Sequence, residues 1–291
     1  MAFEEYSRQL ADRGKPEYVM SRSDLVDFNA CPHKWRWGRG EEGTAATEWG
    51  SLFDMLVLHP NDIESCVSVC PETYRSEKGE EKPWTFSAKV CKEWRENQRG
   101  KVIVKAETFT QANNATKFFW GRPELAAMVR CSRKQVMVEG SYKDKDTGAE
   151  IPLRCLIDCV PDKDNEEYRD SLGDVKTTTN ATPHVWGREV FKWGLHVQAA
   201  LYLDLYNRAT GENRETFRHL ISESSPPWEP GSRILSADFV TLGRLTYIGA
   251  LERYAQCLKS GKWPGYEVDS AGLMWQGWLV TQPEAWMVSS L

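Results

Sequence analysis

The alternation of apolar and polar positions along the chain predicts a mixed α/β fold. A first helix is expected from a cap at Ser21 or Ser23 to about Trp37. Residues 61–83 are expected to be irregular, with a mobile polar loop at 76–83. Further helices are predicted at about 47–58, 86–98, 106–119, from Pro123, at 182–193, 195–211 and 236–260, and strands near 134–143, 150–160, 169–178 and 215–222. This order predicts a central mixed β-sheet flanked by helices, of the α/β (α+β) class.

Two neighbouring predicted strands carry the side chains with the clearest chemistry. Asp158 lies near the end of one strand, and Asp174 and Lys176 lie two residues apart on the next. The polar segment 161–167 between them predicts a hairpin. Because residues i and i+2 of a strand share a face, Asp174 and Lys176 project together, and the hairpin can bring Asp158 against them. Asp174 and Lys176 are both expected to be accessible to solvent.

Two carboxylates with an adjacent ammonium can support metal-assisted phosphodiester cleavage. Carboxylate oxygens are the ligands that Mg²⁺ prefers, and the remaining ligand positions go to water and phosphate. The ammonium can orient or deprotonate an attacking water, or stabilise the charge that builds on phosphorus. The alternative for an isolated Asp-x-Lys is a solvated strand face.

Four segments in order resemble motifs of one nuclease group. Residues 21–35 resemble the opening "S-x-S-x-L-x-x-F-x-x-C-P" helix of RecB-like nucleases, and 49–60 resemble the helix that follows it. Residues 139–176 resemble the catalytic strands, including the hairpin tip at 146–148, and 198–202 match the Q-x-x-x-Y motif. The chain thus resembles the PD-(D/E)XK superfamily, specifically the RecE (exonuclease VIII) type of phages and prophages.

The resemblance implies a restriction-endonuclease-like core with a helical N-terminal part. It predicts an N-terminal extension at 1–20, a single nuclease domain at 21–270 and a C-terminal tail at 271–291. Within the domain, the helical portion is expected at about 21–130 and the catalytic core at about 131–225.

The resemblance also implies a role for each candidate site residue. Asp158 and Asp174 would hold metal, the Val175 backbone carbonyl would add a ligand, and Lys176 would position or activate water. Gln198 and Tyr202, four residues apart and so on one helix face, would contact the DNA backbone and orient the catalytic residues. The alternative for this last pair is a Gln and a Tyr at a helix–sheet seam.

Asp54 departs from the family pattern, which normally carries a metal-ligating His at this position. Since Asp is a competent ligand for Mg²⁺ or Mn²⁺, the departure preserves coordination while it changes charge and metal preference. The alternative is a carboxylate on the helix surface. The nearby His59 precedes Pro60 and is predicted to be a C-terminal cap residue.

Glu139 is the remaining candidate metal ligand. It stands on the strand before Asp158, between Val138 and Gly140, and the resembling exonucleases carry a Glu near this place. A carboxylate on a buried strand is costly without a partner. We therefore expect Glu139 to belong to the metal site or to support it.

The cysteines favour a reduced compartment and exclude an iron–sulfur cluster of the RecB-like kind. Such clusters join the Cys of the first motif to three late cysteines, and here only Cys257 follows Cys159. Cys31 is then expected to be a small buried hydrophobe. No C-x-x-C pair is present, and reduced thiols in the cytoplasm are the expected state.

The net charge of −5 is unusual for a DNA-binding protein. Basic residues nevertheless gather at 33–39, 130–134 and 188–192. Trp35 and Trp37 in the first cluster suit stacking on bases, or alternatively pack in the core. No uncharged run approaches the length of a membrane span, and the N-terminus has no apolar signal segment.

The residues predict metal-assisted phosphodiester cleavage, and the resemblance implies a Mg²⁺-dependent deoxyribonuclease that resects double-stranded DNA ends for recombination. The resemblance adds a phage- or prophage-encoded enzyme in the cytoplasm of a bacterial host. It also implies a single-strand annealing protein as partner and a ring-shaped homo-oligomer. The alternatives are a structure-specific or single-strand endonuclease of the same fold, and a non-catalytic DNA-binding module.

Overall fold

The structure is a computed structural model that describes residues 13–38, 45–85 and 87–266, and the backbone of 274–275 and 278–279. Its chain packing separates two compact units. One consists of Met1–Arg39, Ser141–Leu153 and Thr246–Leu291, and the other of Gly40–Gly140 and Arg154–Leu245. All of the candidate site residues belong to the second unit.

The described helices follow the predicted order. They are α1 Arg22–Ala30, α2 Pro32–Trp37, α3 Ala45–Leu58, α4 Ile63–Cys66, α5 Lys89–Asn97, α6 Ala106–Trp120, α7 Pro123–Arg130, α8 Pro183–Lys192, α9 Leu195–Thr210 and α10 Ala237–Ser260. The described strands are β1 Val67–Val69, β2 Thr73–Arg75, β3 Glu81–Pro83, β4 Val102–Val104, β5 Ser132–Lys143, β6 Glu150–Pro161, β7 Ser171–Thr178, β8 Thr216–Glu223, β9 Pro230–Ile234, β10 Met274–Trp275 and β11 Trp278–Leu279.

A five-stranded mixed sheet in the order β5-β6-β7-β8-β9 forms the framework of the fold. Strand β7 lies at its centre, antiparallel to β6 and parallel to β8. Strand β9 pairs antiparallel with β8. The prediction of a central mixed sheet flanked by helices is confirmed.

Helices α3, α6 and α7 cover one face of this sheet within the second unit. Their buried residues include Leu52, Phe53, Phe119 and Met128, and these join Val175 of β7 in one hydrophobic core. Gly173 packs closely at this contact, because a Cβ there would press on the terminal methyl of Met128 and lie 3.2 Å from Cys159 Cβ. The core therefore fixes the alternation of β7, with Gly173 and Val175 on this face and Asp174 on the other.

Helices α8 and α9 cover the opposite face. Trp186 of α8 packs edge-on against His219 of β8, and Tyr202 of α9 packs against Phe217 of the same strand. Helices on both faces leave β7 buried along most of its length. Asp174 thus points into a protein interior on the α9 side.

The predicted first helix is two helices in the structure. Ser21 caps α1, and its side chain exchanges bonds with Asp24 in a capping box. The helix ends at Cys31, which is extended before Pro32 and thereby begins α2. The prediction of one helix to Trp37 was wrong because Pro32 disfavours helical geometry at the residue before it.

The aromatic residues of the first motif divide between core and surface. Trp35 is buried and donates to Asp24, which also accepts from Tyr18 and pairs with Arg13. Trp37, in contrast, is 82% exposed. Only Trp37 of this pair is therefore available for stacking.

Residues 61–83 are more ordered than predicted. They contain α4, β1 and the hairpin of β2 and β3, and β1 pairs parallel with β4. The predicted mobile loop at 76–83 comprises the hairpin turn at 76–80 and strand β3. In the turn the Ser76 N–H donates to the Glu80 carbonyl and Gly79 takes a positive φ of 79°. Along the part of the chain that the structure describes, no helix is long and apolar enough to cross a membrane.

Candidate active site

Asp174 and Lys176 lie side by side on the α9 face of β7. The Lys176 ammonium forms an ion pair with Asp174 Oδ2 and also donates to the Val175 carbonyl at 3.3 Å. Asp174 is only 2% exposed, so the expectation that it is open to solvent was wrong. Its charge is balanced within the protein instead, by the ammonium next to it.

Asp158 reaches the same place from the neighbouring strand. The register pairs Cys159 with Gly173, and beyond this pair the Asp158 carboxylate accepts the Val175 N–H at 2.9 Å. The Asp158 carboxylate therefore accepts the Val175 N–H in place of a backbone carbonyl of β6.

Asp54 approaches the pair from α3. This helix lies close to β7 at Gly50, where an added Cβ would be 3.5 Å from Thr177 Oγ1. Burial raises the pKa of Asp54 to about 7, and Asp174 adds to this shift while Lys176 opposes it. Asp54 thus belongs to the same electrostatic cluster as the two strand carboxylates.

The pKa of Asp158 is raised in the same sense. Burial is the largest cause, the negative charges of Asp174 and Asp54 add to it, and Lys176 opposes it. Mutual repulsion among three carboxylates beside a single ammonium thus adds to the effect of burial on the pKa values of Asp54 and Asp158.

Gln198 and Tyr202 take different positions although they share a face of α9. Gln198 Nε2 donates to Asp174 Oδ1 at 2.6 Å and so holds the carboxylate in place. Tyr202 is buried with its ring 6.1 Å from that of Phe217. Gln198 is placed to orient the Asp174 carboxylate, whereas Tyr202 lies at the helix–sheet seam.

Glu139 departs from its predicted environment. It is exposed on β5, an edge strand of the sheet, whereas the neighbouring Val138 is buried. The expectation of a buried carboxylate was wrong because the alternation of β5 turns residue 139 towards solvent. A metal-site role for Glu139 therefore finds no support from burial.

The donor set fits a hard divalent cation in its chemistry. Asp54, Asp158 and Asp174 offer carboxylate oxygens, and the Val175 carbonyl stands next to Lys176. In the described residues no three His, Cys, Asp or Glu side chains are arranged as a ready metal cage. A cation would therefore have to compete with protein partners of these oxygens, namely Gln198, Lys176 and the Val175 N–H.

His219 is a buried neighbour of the site that the sequence did not single out. It pairs with Asp174 in the parallel register of β7 and β8, and its ring packs between Trp186 and Phe217. The signal in the sequence is weak, because His219 stands between Arg218 and Leu220 and does not interrupt a continuous apolar run. His59 follows α3 as predicted, with its N–H donating to Met55.

All eight cysteines are free thiols. Cys31 is buried, as predicted for a small hydrophobe.

The stability of the metal-free protein is expected to fall as pH rises from about 4 to 8. Because the pKa of Asp54 is raised from 3.8 to about 7, the folded state binds its proton more tightly than the unfolded chain in this window. Asp158 shifts in the same direction. The loss of unfolding free energy is expected to be roughly 2–4 kcal/mol from Asp54.

Urea unfolding in chelator at pH 5.5 and pH 8 measures this effect. The matched control is Asp54→Asn, whose free energy of unfolding should change much less between the two pH values. Equal stability of the parent at the two pH values, or an equal decline in the control, would contradict the coupling.

The geometry defines a class of protein: a mixed sheet whose central strand carries Asp-x-Lys, joined by a carboxylate from the adjacent strand, is the core of a PD-(D/E)XK-type nuclease domain. The chain belongs to the family described as PDDEXK-like domain of unknown function (DUF3799), whose model matches residues 21–271. No curated protein matches the sequence.

Among solved structures, the chain is similar to the crystal structure of a "putative exonuclease" from Eubacterium rectale. The TM-score is 0.57 at 16% identity, with 100% of this chain and 98% of that chain covered. At this identity the likeness shows the fold alone. A second structure, that of SSO0001, gives a TM-score of 0.27 at 8% identity over 77% of this chain and 83% of that chain, and carries no argument.

Proposed function

We propose that the protein is a divalent-metal-dependent deoxyribonuclease that degrades double-stranded DNA from its ends. The observation that carries this proposal is the cluster of Asp54, Asp158 and Asp174 around Lys176. Three repelling carboxylates and one ammonium, held by a strand pair and two helices, match the needs of phosphodiester hydrolysis better than those of a purely structural ion pair.

Each residue has a task that follows from its contacts. Asp158 and Asp174 would hold Mg²⁺ or Mn²⁺ with Asp54, and the bound ion would polarise the phosphate and stabilise charge in the transition state. Lys176, already beside Asp174 and the Val175 carbonyl, would orient the attacking water or take its proton. Gln198 would keep the Asp174 carboxylate at a fixed angle.

The exonuclease mode rests on resemblance. The four motifs resemble the RecE type, and the Eubacterium rectale structure, which covers nearly the full length of both chains, carries an exonuclease description. Resection of a duplex end would leave a single strand for recombination.

Cleavage of linear but not circular duplex DNA is the expected result with purified protein and Mg²⁺ or Mn²⁺. The assay compares labelled linear duplex, covalently closed circular duplex and single strands, each with metal and with excess chelator. Exonuclease action requires an end and a metal, because the carboxylates alone cannot stabilise the charge on the phosphate.

The other outcomes separate the alternatives. Opening of the circle would indicate an endonuclease of the same fold. Intact substrates with retained DNA binding would indicate a non-catalytic binding module. Undiminished cleavage in chelator would contradict the metal-dependent mechanism.

A further inference from the structure

Two large aromatic side chains stand exposed at the junction of α8 and α9. Phe191 is 62% exposed and Trp193 is 55% exposed. Burial of exposed apolar surface is favourable, so two such residues within three positions are a candidate binding surface. The core described above does not use either of them.

Both rings are held in place before any partner arrives. Phe191 lies over the His196 ring with an interplanar angle of 13° and centroids 5.3 Å apart. His196 is itself buried, and its Nδ1 lies 3.2 Å from the Val190 carbonyl. Trp193 Nε1 donates to Glu189. These contacts restrict both side chains, so a ligand that stacks on the rings costs less conformational entropy.

Positive charge accompanies the aromatic rings. The Lys192 ammonium lies 4.6 Å from the centroid of the Trp193 ring, and Arg188 is exposed one turn earlier on α8. Glu189 is the acidic residue of this group, and it pairs with Lys192. Aromatic faces combined with cations are the composition of surfaces that bind single-stranded nucleic acid.

The junction is close along the chain to the candidate active site. Gly194, with a positive φ of 63°, is the N-cap of α9, and Gln198 follows four residues later. Four residues of helix advance about 6 Å, or roughly one turn. Gln198 in turn contacts Asp174. The aromatic pair thus stands at the end of the helix that orients the catalytic carboxylate.

We propose that Phe191 and Trp193 are a stacking surface for unpaired bases of a DNA strand, with Arg188 and Lys192 contacting its phosphates. This inference rests on the proposed function for the identity of the polymer as DNA. It adds that the protein holds a single strand beside the site, and not only an intact duplex. Base stacking tolerates any sequence, as end resection requires.

The test measures binding of a fluorescently labelled oligo(dT) by anisotropy in excess chelator, so that no cleavage occurs. Phe191→Ala and Trp193→Ala are each expected to weaken binding about five- to tenfold, with a smaller change for a blunt duplex. Trp193→Phe should restore most of the loss because the ring is retained. Phe118→Ala removes a Phe that is 48% exposed on α6 and is the matched control, expected to bind like the parent.

An abasic oligonucleotide of the same length, which has phosphates but no bases, distinguishes stacking from phosphate contact. The parent should bind it more weakly than oligo(dT), and the two alanine variants should bind both oligonucleotides alike. Thermal unfolding of each variant confirms that the fold is retained.

Two results would overturn the inference directly: no binding of oligo(dT) by the parent, or unchanged affinity in both alanine variants. A third would be a change in self-association of the alanine variants, measured by sedimentation, without a change in their affinity for oligo(dT). The last would mean that the aromatic pair contacts protein. Nuclease activity is assayed separately, so a protein that stacks single strands without cleaving DNA would refute the proposed function and leave this inference standing.

Discussion

Replacing Asp174 by Asn or Lys176 by Gln is expected to lower the rate of DNA hydrolysis by at least about a hundredfold. Asp174→Asn keeps the shape of the side chain and removes the charge that faces Lys176 and would hold metal. Lys176→Gln removes the ammonium that, under the proposed function, would orient the attacking water. Both changes act on charge development at the phosphate, which is where catalysis of this kind depends most on the protein.

Stability must be measured with activity for these two variants. Asp174 is buried, and Lys176 is its ion-pair partner. Lys176→Gln therefore leaves a buried carboxylate without its cation, which commonly costs about 3–5 kcal/mol. Asp174→Asn removes the buried charge itself and should be milder.

The control is Glu166→Gln, an exposed carboxylate in the connection between β6 and β7. It should cleave labelled linear duplex at the parental rate. The cleavage rates of all three variants are measured under single-turnover conditions, and circular dichroism verifies that each variant is folded. Turnover within twofold of the parent in either site variant would remove Asp174 and Lys176 from the mechanism.

Asp54→Asn is expected to have two opposite effects. It should stabilise the metal-free protein at pH 8, since the raised pKa shows that burial disfavours the Asp54 carboxylate. It should also raise the metal concentration needed for half-maximal activity by at least about tenfold, because one hard oxygen ligand is lost. Metal-induced stabilisation of the fold should shrink accordingly.

Asp54→His distinguishes ligation from simple charge. An imidazole can bind metal and favours softer ions, so this variant should recover activity with a shift toward Mn²⁺. Cleavage rate against Mg²⁺ and Mn²⁺ concentration, for the parent and both variants, gives the answer. Superimposable curves for the parent and Asp54→Asn would show that the metal site is built without Asp54.

The sequence predicted the long elements and the strand pair of the site because their signals are local. The Asp-x-Lys spacing sets one face of a strand, and a short polar connection places Asp158 beside it. Strands β1, β4 and β9 span only three to five residues, and so short a run carries no readable period. Their pairing depends on partners that are distant in the chain.

The burial of the strand carboxylates could not be predicted from the sequence. Glu139 and Asp174 each follow a Val or Gly in a strand, yet one faces solvent and the other faces α9. Which face of a strand is covered depends on where helices dock, and that is decided by the whole fold. The coupling of Asp54 to the strand carboxylates likewise required the packing of α3 on the sheet.

The bond between Asp158 and the Val175 N–H has a consequence for how this site can change in evolution. Asp158 accepts a backbone hydrogen bond within the sheet and, under the proposed function, would also be a metal ligand, so altering it would disturb two structures together. Asp54 stands on a helix, outside the strand pairing, and can be exchanged without altering a backbone bond. That separation would allow residue 54 to be Asp here where the resembling nucleases carry His. Metal preference can drift at the helix position while the strand architecture remains constant.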